Sequence, residues 1–166
     1  GLSSLFDRVS HRILLTPGLE FKWKDLTITP SVRALFQDVD NRLASMSASV
    51  RQRQNNILPS MQVVYKQLSI NYNKDVQLPF YTYLLPVQDN SNSYYIVKGN
   101  TGLEPSVRDN FSVNYNLNDT KRNFYATVYM NAAFIRNDFI QSITLDGRGV
   151  QTSVPVNADG TRYFYS

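Results

Sequence analysis

Alternation dominates this chain: apolar and polar residues take turns over stretch after stretch, and the stretches are joined by very short reversals. The first series is Ile13, Leu15, Leu19, Phe21 and Trp23, all at odd positions, with Glu20, Lys22 and Lys24 between them. After Lys24-Asp25 the apolar set moves to even positions: Leu26, Ile28, Pro30, Val32, Ala34 and Phe36. A side-chain period of two means a strand with one apolar and one wet face, and a two-residue reversal between such runs means a tight hairpin. Pro30 is awkward there, because it has no N–H to give a ladder.

The pattern repeats. Ile57, Pro59, Met61, Val63 and Tyr65 turn through Lys66-Gln67 into Leu68, Ile70 and Tyr72. Phe111, Val113, Tyr115 and Leu117 turn through Asn118 to Asn123 into a run from Phe124 to Phe134, expected to continue to Leu145. Asp146 to Gly149 then reverses the chain into Val150, Thr152, Val154 and Val156, and a last strand follows Asn157 to Thr161. The expected fold is all-β: an antiparallel up-and-down meander of about seven or eight strands. Its connections read short, long, short, long, short, the long ones being roughly Asp38 to Asn56 and Pro79 to Asp109. Short turns at one end and long excursions at the other are the habit of outer-membrane barrels. One segment also fits a helix: Val32, Leu35, Phe36, Val39, Leu43, Met46 and Val50 form a helical stripe within Ser31 to Gln52, with Ser31 able to cap it. The unbroken alternation of Leu26 to Phe36 after a tight turn favours strand.

Composition narrows the functional classes. The chain of 166 residues has room for one domain, is only 18% charged, and carries 11 Tyr and 9 Phe. Its net charge of +4 comes from scattered residues, with Val50 to Gln54 and Lys121-Arg122 the nearest to clusters. Nucleic acid, which needs a concentrated basic footprint, is not an expected partner. With no cysteine there is no disulfide frame or thiolate metal site. No cofactor is expected either. His11, the only histidine, has no nucleophile beside it, Asn157 to Gly160 reads as a turn rather than a calcium loop, and no carboxylates pair, so catalysis is not expected.

What reads as a binding surface is the second long connection. Phe80, Tyr81, Tyr83, Tyr94 and Tyr95 offer flat amphipathic rings; Gln88, Asp89, Asn90, Asn92 and Asn100 offer hydrogen-bonding groups. That mixture suits a glycan or a peptide. The competing reading is that the rings pack the loop on itself or belong to an aromatic girdle.

Residues Asn56 to Asn116 also resemble a known family, the barrels of TonB-dependent receptors of Bacteroidota. The resemblance rests on Leu58-Pro59-Ser60, then Leu78-Pro79, Leu84, Leu85-Pro86-Val87 and Asp89-Asn90-Ser91-Asn92, then Gly99-Asn100, Leu103 and Pro105. Thr101-Gly102 and Glu104 depart from the family's usual residues. The resemblance implies that residues 1–166 are a single segment from the C-terminal part of an outer-membrane β-barrel, with neither plug domain nor signal peptide. Such receptors import a scarce nutrient (glycan, peptide or metal chelate). The implied partners are outer-membrane lipid, the nutrient ligand, the TonB system acting through an N-terminal plug region, and in one branch a surface lipoprotein. Trp23, Phe36, Tyr65, Tyr72, Phe111, Tyr115 and Phe124 would form the girdles. Phe111, Val113, Tyr115 and Leu117 would face lipid, with Ser112, Asn114 and Asn116 lining the lumen. The alternatives are a soluble β-sandwich binding glycan or protein, and a small complete barrel with a structural or adhesive role.

Overall fold

The computed structural model describes residues 6–43, 48–85 and 88–166. Along them run β1 (Phe6–Leu15), β2 (Phe21–Trp23), β3 (Leu26–Leu43), β4 (Ala48–Tyr65), β5 (Leu68–Gln77), a single helical turn α1 (Tyr81–Leu84), β6 (Gln88–Asn92), β7 (Tyr95–Lys98), β8 (Ser106–Asp119), β9 (Phe124–Arg136), β10 (Phe139–Leu145), β11 (Gln151–Asn157) and β12 (Thr161–Tyr165).

Most of them build one antiparallel wall in the order β1-β3-β4-β5-β8-β9-β12. β2 also pairs with β3. β1 runs from Phe6↔Leu43 to Leu15↔Ala34, Gly18 bridges to Ser31, and β2 continues from Phe21↔Ile28 to Trp23↔Leu26, so together they form one interrupted strand beside β3. Because the side-chain period is two, the register decides which residues share a face. One row across five strands reads Ile28, Val63, Ile70, Val113, Met130. The next reads Thr29, Gln62, Asn71, Ser112, Asn131. The expected apolar and wet faces are therefore continuous across the sheet. Two of the short turns have a left-handed residue, Lys24 and Lys66, both at φ 53°, which suits the primed turns that follow strand twist.

Three expectations about the connections need correction. The β3–β4 ladder continues to Leu43↔Ala48, so the described part of Ser31 to Gln52 is strand, not helix, and Asp38 to Asn56 is a prolonged hairpin rather than an excursion. Met46 lies outside the described residues. Ion pairs replace apolar pairs in this extension: Arg51 donates through Nε to Asp38 at 2.9 Å, and Arg42 pairs with Asp40 at 2.8 Å. The hydrogen bond from Arg51 holds the Asp38 carboxyl below its ordinary pKa.

Second, β9 stops at Arg136 instead of running on to Leu145. Asn137 takes a left-handed φ of 52°, and the Asp138 carboxylate accepts the Phe139 N–H at 2.9 Å, which steers the chain off the wall. Third, β10 and β11 belong to a separate four-stranded sheet, β10-β11-β7-β6. Its central pair, β7 with β11, is parallel and joins the long excursion between β5 and β8 to a second one, residues 137–160, between β9 and β12.

The prolines sit where a donor is not needed. Backbone groups in an antiparallel ladder alternate sides. The Pro30 carbonyl accepts from Leu19, so Pro30 faces the broken β1–β2 strand, where Pro17 in turn accepts from Val32. By the same alternation Pro59 faces β5, and the β4–β5 ladder ends one pair earlier, at Ser60↔Asn73. The Lys74 carbonyl left over is met by the Arg33 guanidinium at 3.2 Å. Arg33→Ala orphans that carbonyl and is expected to cost about 1–3 kcal/mol, seen as a lower urea midpoint for loss of tertiary structure. An unchanged midpoint would show that water serves the carbonyl equally well.

The soluble β-sandwich is not what this chain forms. A sandwich buries the apolar faces of two sheets against each other, whereas here the wall's apolar face is bare: Ile57 is 76% exposed and Trp23 71%. Leu35, Val39 and Leu58 are buried, but the register puts them on the polar face, at the end of the wall away from the short turns.

Candidate functional site

The short turns all lie at one end of the wall, and both excursions leave from the other. Two asparagines tie the excursions together. Asn100 donates its backbone N–H to the Tyr83 carbonyl at 2.6 Å and its side-chain Nδ2 to the Pro155 carbonyl at 3.0 Å, while its Oδ1 accepts from Gly102 at 2.9 Å. Asn157 answers from β11, giving Nδ2 to the carbonyls of Glu104 and Asn137 and accepting the Glu104 N–H at 2.8 Å. Gly99 lets this junction close. Its backbone presses so near α1 that a Cβ would lie 1.8 Å from the Leu85 carbonyl oxygen.

The ten residues read from sequence as a binding surface are divided among three places. Phe80, Tyr81 and Tyr83 surround α1, where the Phe80 and Tyr83 rings meet edge to face at 5.6 Å. Gln88, Asp89, Asn90 and Asn92 belong to β6; the side chains of the first three fall outside what is described, as do Pro86 and Val87 entirely. Asn92 accepts the Tyr94 N–H at 2.9 Å in the β6–β7 turn. Tyr94 is exposed there and Tyr95 opens β7, opposite Gln151. Asn100 is absorbed by the junction. The structure thus brings Phe80 and Tyr83 together and sets Tyr94 and Tyr95 apart on the hairpin. Sequence reasoning missed Asn157, whose only local signal was a turn.

It also understated the polar face. Asn73, Arg108, Asn110, Ser112, Tyr129 and Asn131 line a groove of about 530 Å³ there. Asn71 Nδ2 lies 3.4 Å from the hydroxyls of Ser69 and Ser112, and Arg108 gives Nε to Asn110 at 2.7 Å. Amides, hydroxyls and one guanidinium in a row can hold a neutral polar solute or water; among the described residues no group of three acidic or histidine side chains could hold a metal ion.

The apolar face is bounded by aromatic rows. Trp23, Tyr65 and Phe124 flank the short turns, with Lys24 and Lys66 over the first two rings at 5.7 and 5.4 Å. Tyr72, Phe111, Phe134 and Tyr163 form the opposite row, with successive ring centroids 4.8, 5.6 and 5.5 Å apart. On β3 the apolar face runs from Leu26 to Phe36, about 33 Å along the strand and about 25 Å in height at a tilt near 40°, the height of a barrel's lipid band.

A family model described as an outer membrane protein beta-barrel family matches residues 18–165. No curated protein matches the chain.

Proposed function

We propose, from the premise that this chain belongs to the outer membrane protein β-barrel family and resides in the outer membrane, that it is a wall segment of a TonB-dependent receptor importing a scarce nutrient. One observation carries the reading: the two excursions are not idle loops but are built into one sheet, pinned by Asn100 and Asn157 at the end of the wall away from the short turns. Short turns face the periplasm in such barrels and long excursions face outside, so this sheet meets ligand first and the polar face then lines the lumen.

The rest of the reading follows from pairing. Among the described residues β1–β2 and β12 each keep one edge unpaired. An unpaired edge is not tolerated in hydrocarbon, which supports closure by further strands of a larger barrel. The nutrient is a glycan, peptide or metal chelate. Energy reaches the barrel from the TonB system through a plug region, and a surface lipoprotein is a fitting partner over the outer sheet. The role is transport, with no chemistry of its own and no nucleic acid bound.

The test is uptake by the intact receptor. Tyr81→Ala combined with Tyr94→Ala is expected to lower ligand capture about tenfold or more, as loss of two aromatic contacts would, without lowering the amount in the membrane. Unchanged uptake would remove both tyrosines from the ligand path.

A further inference from the structure

We propose that the apolar face carries a site for the phosphate of an anionic lipid, in a cleft between β4 and β5 at the outer rim. The cleft exists because of Pro59. With the β4–β5 ladder ended at Ser60↔Asn73, the strands part and leave a hollow of about 380 Å³ lined by Ile57, Val76, Val107, Lys74, Arg136 and Asn137, with Asn56 and Leu58 behind. It opens directly above the aromatic row Tyr72, Phe111, Phe134, where the hydrocarbon ends and head groups begin.

Its charge suits a phosphate. Lys74 and Arg136 share one carboxylate, Asp109, which accepts Arg136 Nη2 at 3.0 Å and the Tyr72 hydroxyl at 2.8 Å and lies 3.9 Å from Lys74 Nζ. Two cations on one anion leave an excess of one positive charge. The Lys74 ammonium is beyond hydrogen-bonding distance of Asp109, and Arg136 gives it one of five N–H donors. The pairs Asp75↔Arg108 and Lys74↔Asp109 alternate along the β5–β8 ladder, so Asp75 and Arg108 face the lumen and do not join this site. Arg33 reaches the Lys74 carbonyl from the lumen side and adds positive charge behind the cleft. Ile57, 76% exposed, Val76 and Val107 line the cleft on its outward side, and inward of Lys74 and Asp109 the row Tyr72, Phe111, Phe134 supplies the wall for the acyl region. A free anion would use the cations but not this wall, so the site fits a lipid.

The proposal rests on the outer-membrane location and not on what the receptor imports. The receptor is reconstituted in phosphatidylcholine nanodiscs containing a minor share of phosphatidylglycerol, and the lipid it retains after delipidation in neutral detergent is counted by native mass spectrometry. The wild type is expected to retain phosphatidylglycerol about fivefold above its share, the scale set by one net positive charge near the membrane surface. The double variant Lys74→Gln, Arg136→Gln is expected to fall to near parity, while Lys24→Gln, Lys66→Gln at the periplasmic rim keeps the outer-rim lipid. Arg136→Lys, which keeps the charge with less change to the wall, is expected to keep most of the enrichment. Equal retention by wild type and double variant overturns the proposal. So does enrichment abolished by millimolar inorganic phosphate, which would mark a site for the free ion.

Discussion

Gly99→Ala is expected to part the two excursions where Asn100 joins them. The new Cβ would stand 1.8 Å from the Leu85 carbonyl oxygen, 2.8 Å from its carbon and 3.1 Å from the Tyr83 oxygen. All three are backbone atoms, so no side chain can swing aside, and α1 or the Gly99–Asn100 segment must move by more than an ångström. Such a move breaks the 2.6 Å bond from Asn100 to Tyr83 and misaligns the Asn100 amide with Pro155. Forced displacement and the lost hydrogen bonds together are expected to cost about 3–5 kcal/mol of local stability. The readout is amide hydrogen exchange: fast at Asn100 and Gln151 in the variant, unchanged along β8 and β9. Protection retained at Asn100 would mean that the junction has slack absent from this packing. The demand is steric; Gly99 is not among the glycines with positive φ, which are Gly149 and Gly160.

The second large effect concerns the lipid face. Val113 stands in the row Ile70, Val113, Met130, with hydrocarbon on its other side. Val113→Arg is expected to cost about 2–4 kcal/mol, as a cation near the bilayer midplane does in a barrel, and to reduce the folded protein recovered from the outer membrane severalfold. Asn116→Arg is the matched control. It lies three residues along the same strand, so it points into the lumen, and it is exposed, so the folded amount is expected to stay near wild type. Folded protein is separated from unfolded by its faster migration on unboiled gels. Equal recovery of the two variants would contradict the assignment of faces.

Much of the wall was legible because its signal is local. Alternation from Phe111 to Leu117 names the strand, its two faces and the aromatic rim at once, and each short turn passes the parity on. The same signal misled beyond Phe134. β10 and β11 alternate much as β9 does, and a period of two does not say which sheet a strand belongs to; Asn137 and Asp138 decide that through one left-handed residue and one capping carboxylate. The polar extension of β3 and β4 past Asp38 looked like loop because charge replaced apolar residues there, yet the ladder continues, with Arg51 paired to Asp38 across it and Arg42 to Asp40 along β3. Asn100 looked like a ligand-binding amide by type, and nothing in its neighbourhood in the chain announces Pro155, 55 residues away.

By itself, then, the amino-acid order determined the antiparallel wall, its wet and greasy faces, and the end at which the long connections gather, since each follows from side-chain period and turn length within a few residues. Only the tertiary structure decided that the two excursions form one sheet, that Asn100 and Asn157 lock it, and that Pro59 opens a cationic cleft at the lipid rim. Those features rest on hydrogen bonds and close approaches between segments far apart in the chain, whose partners are chosen by where the wall delivers them.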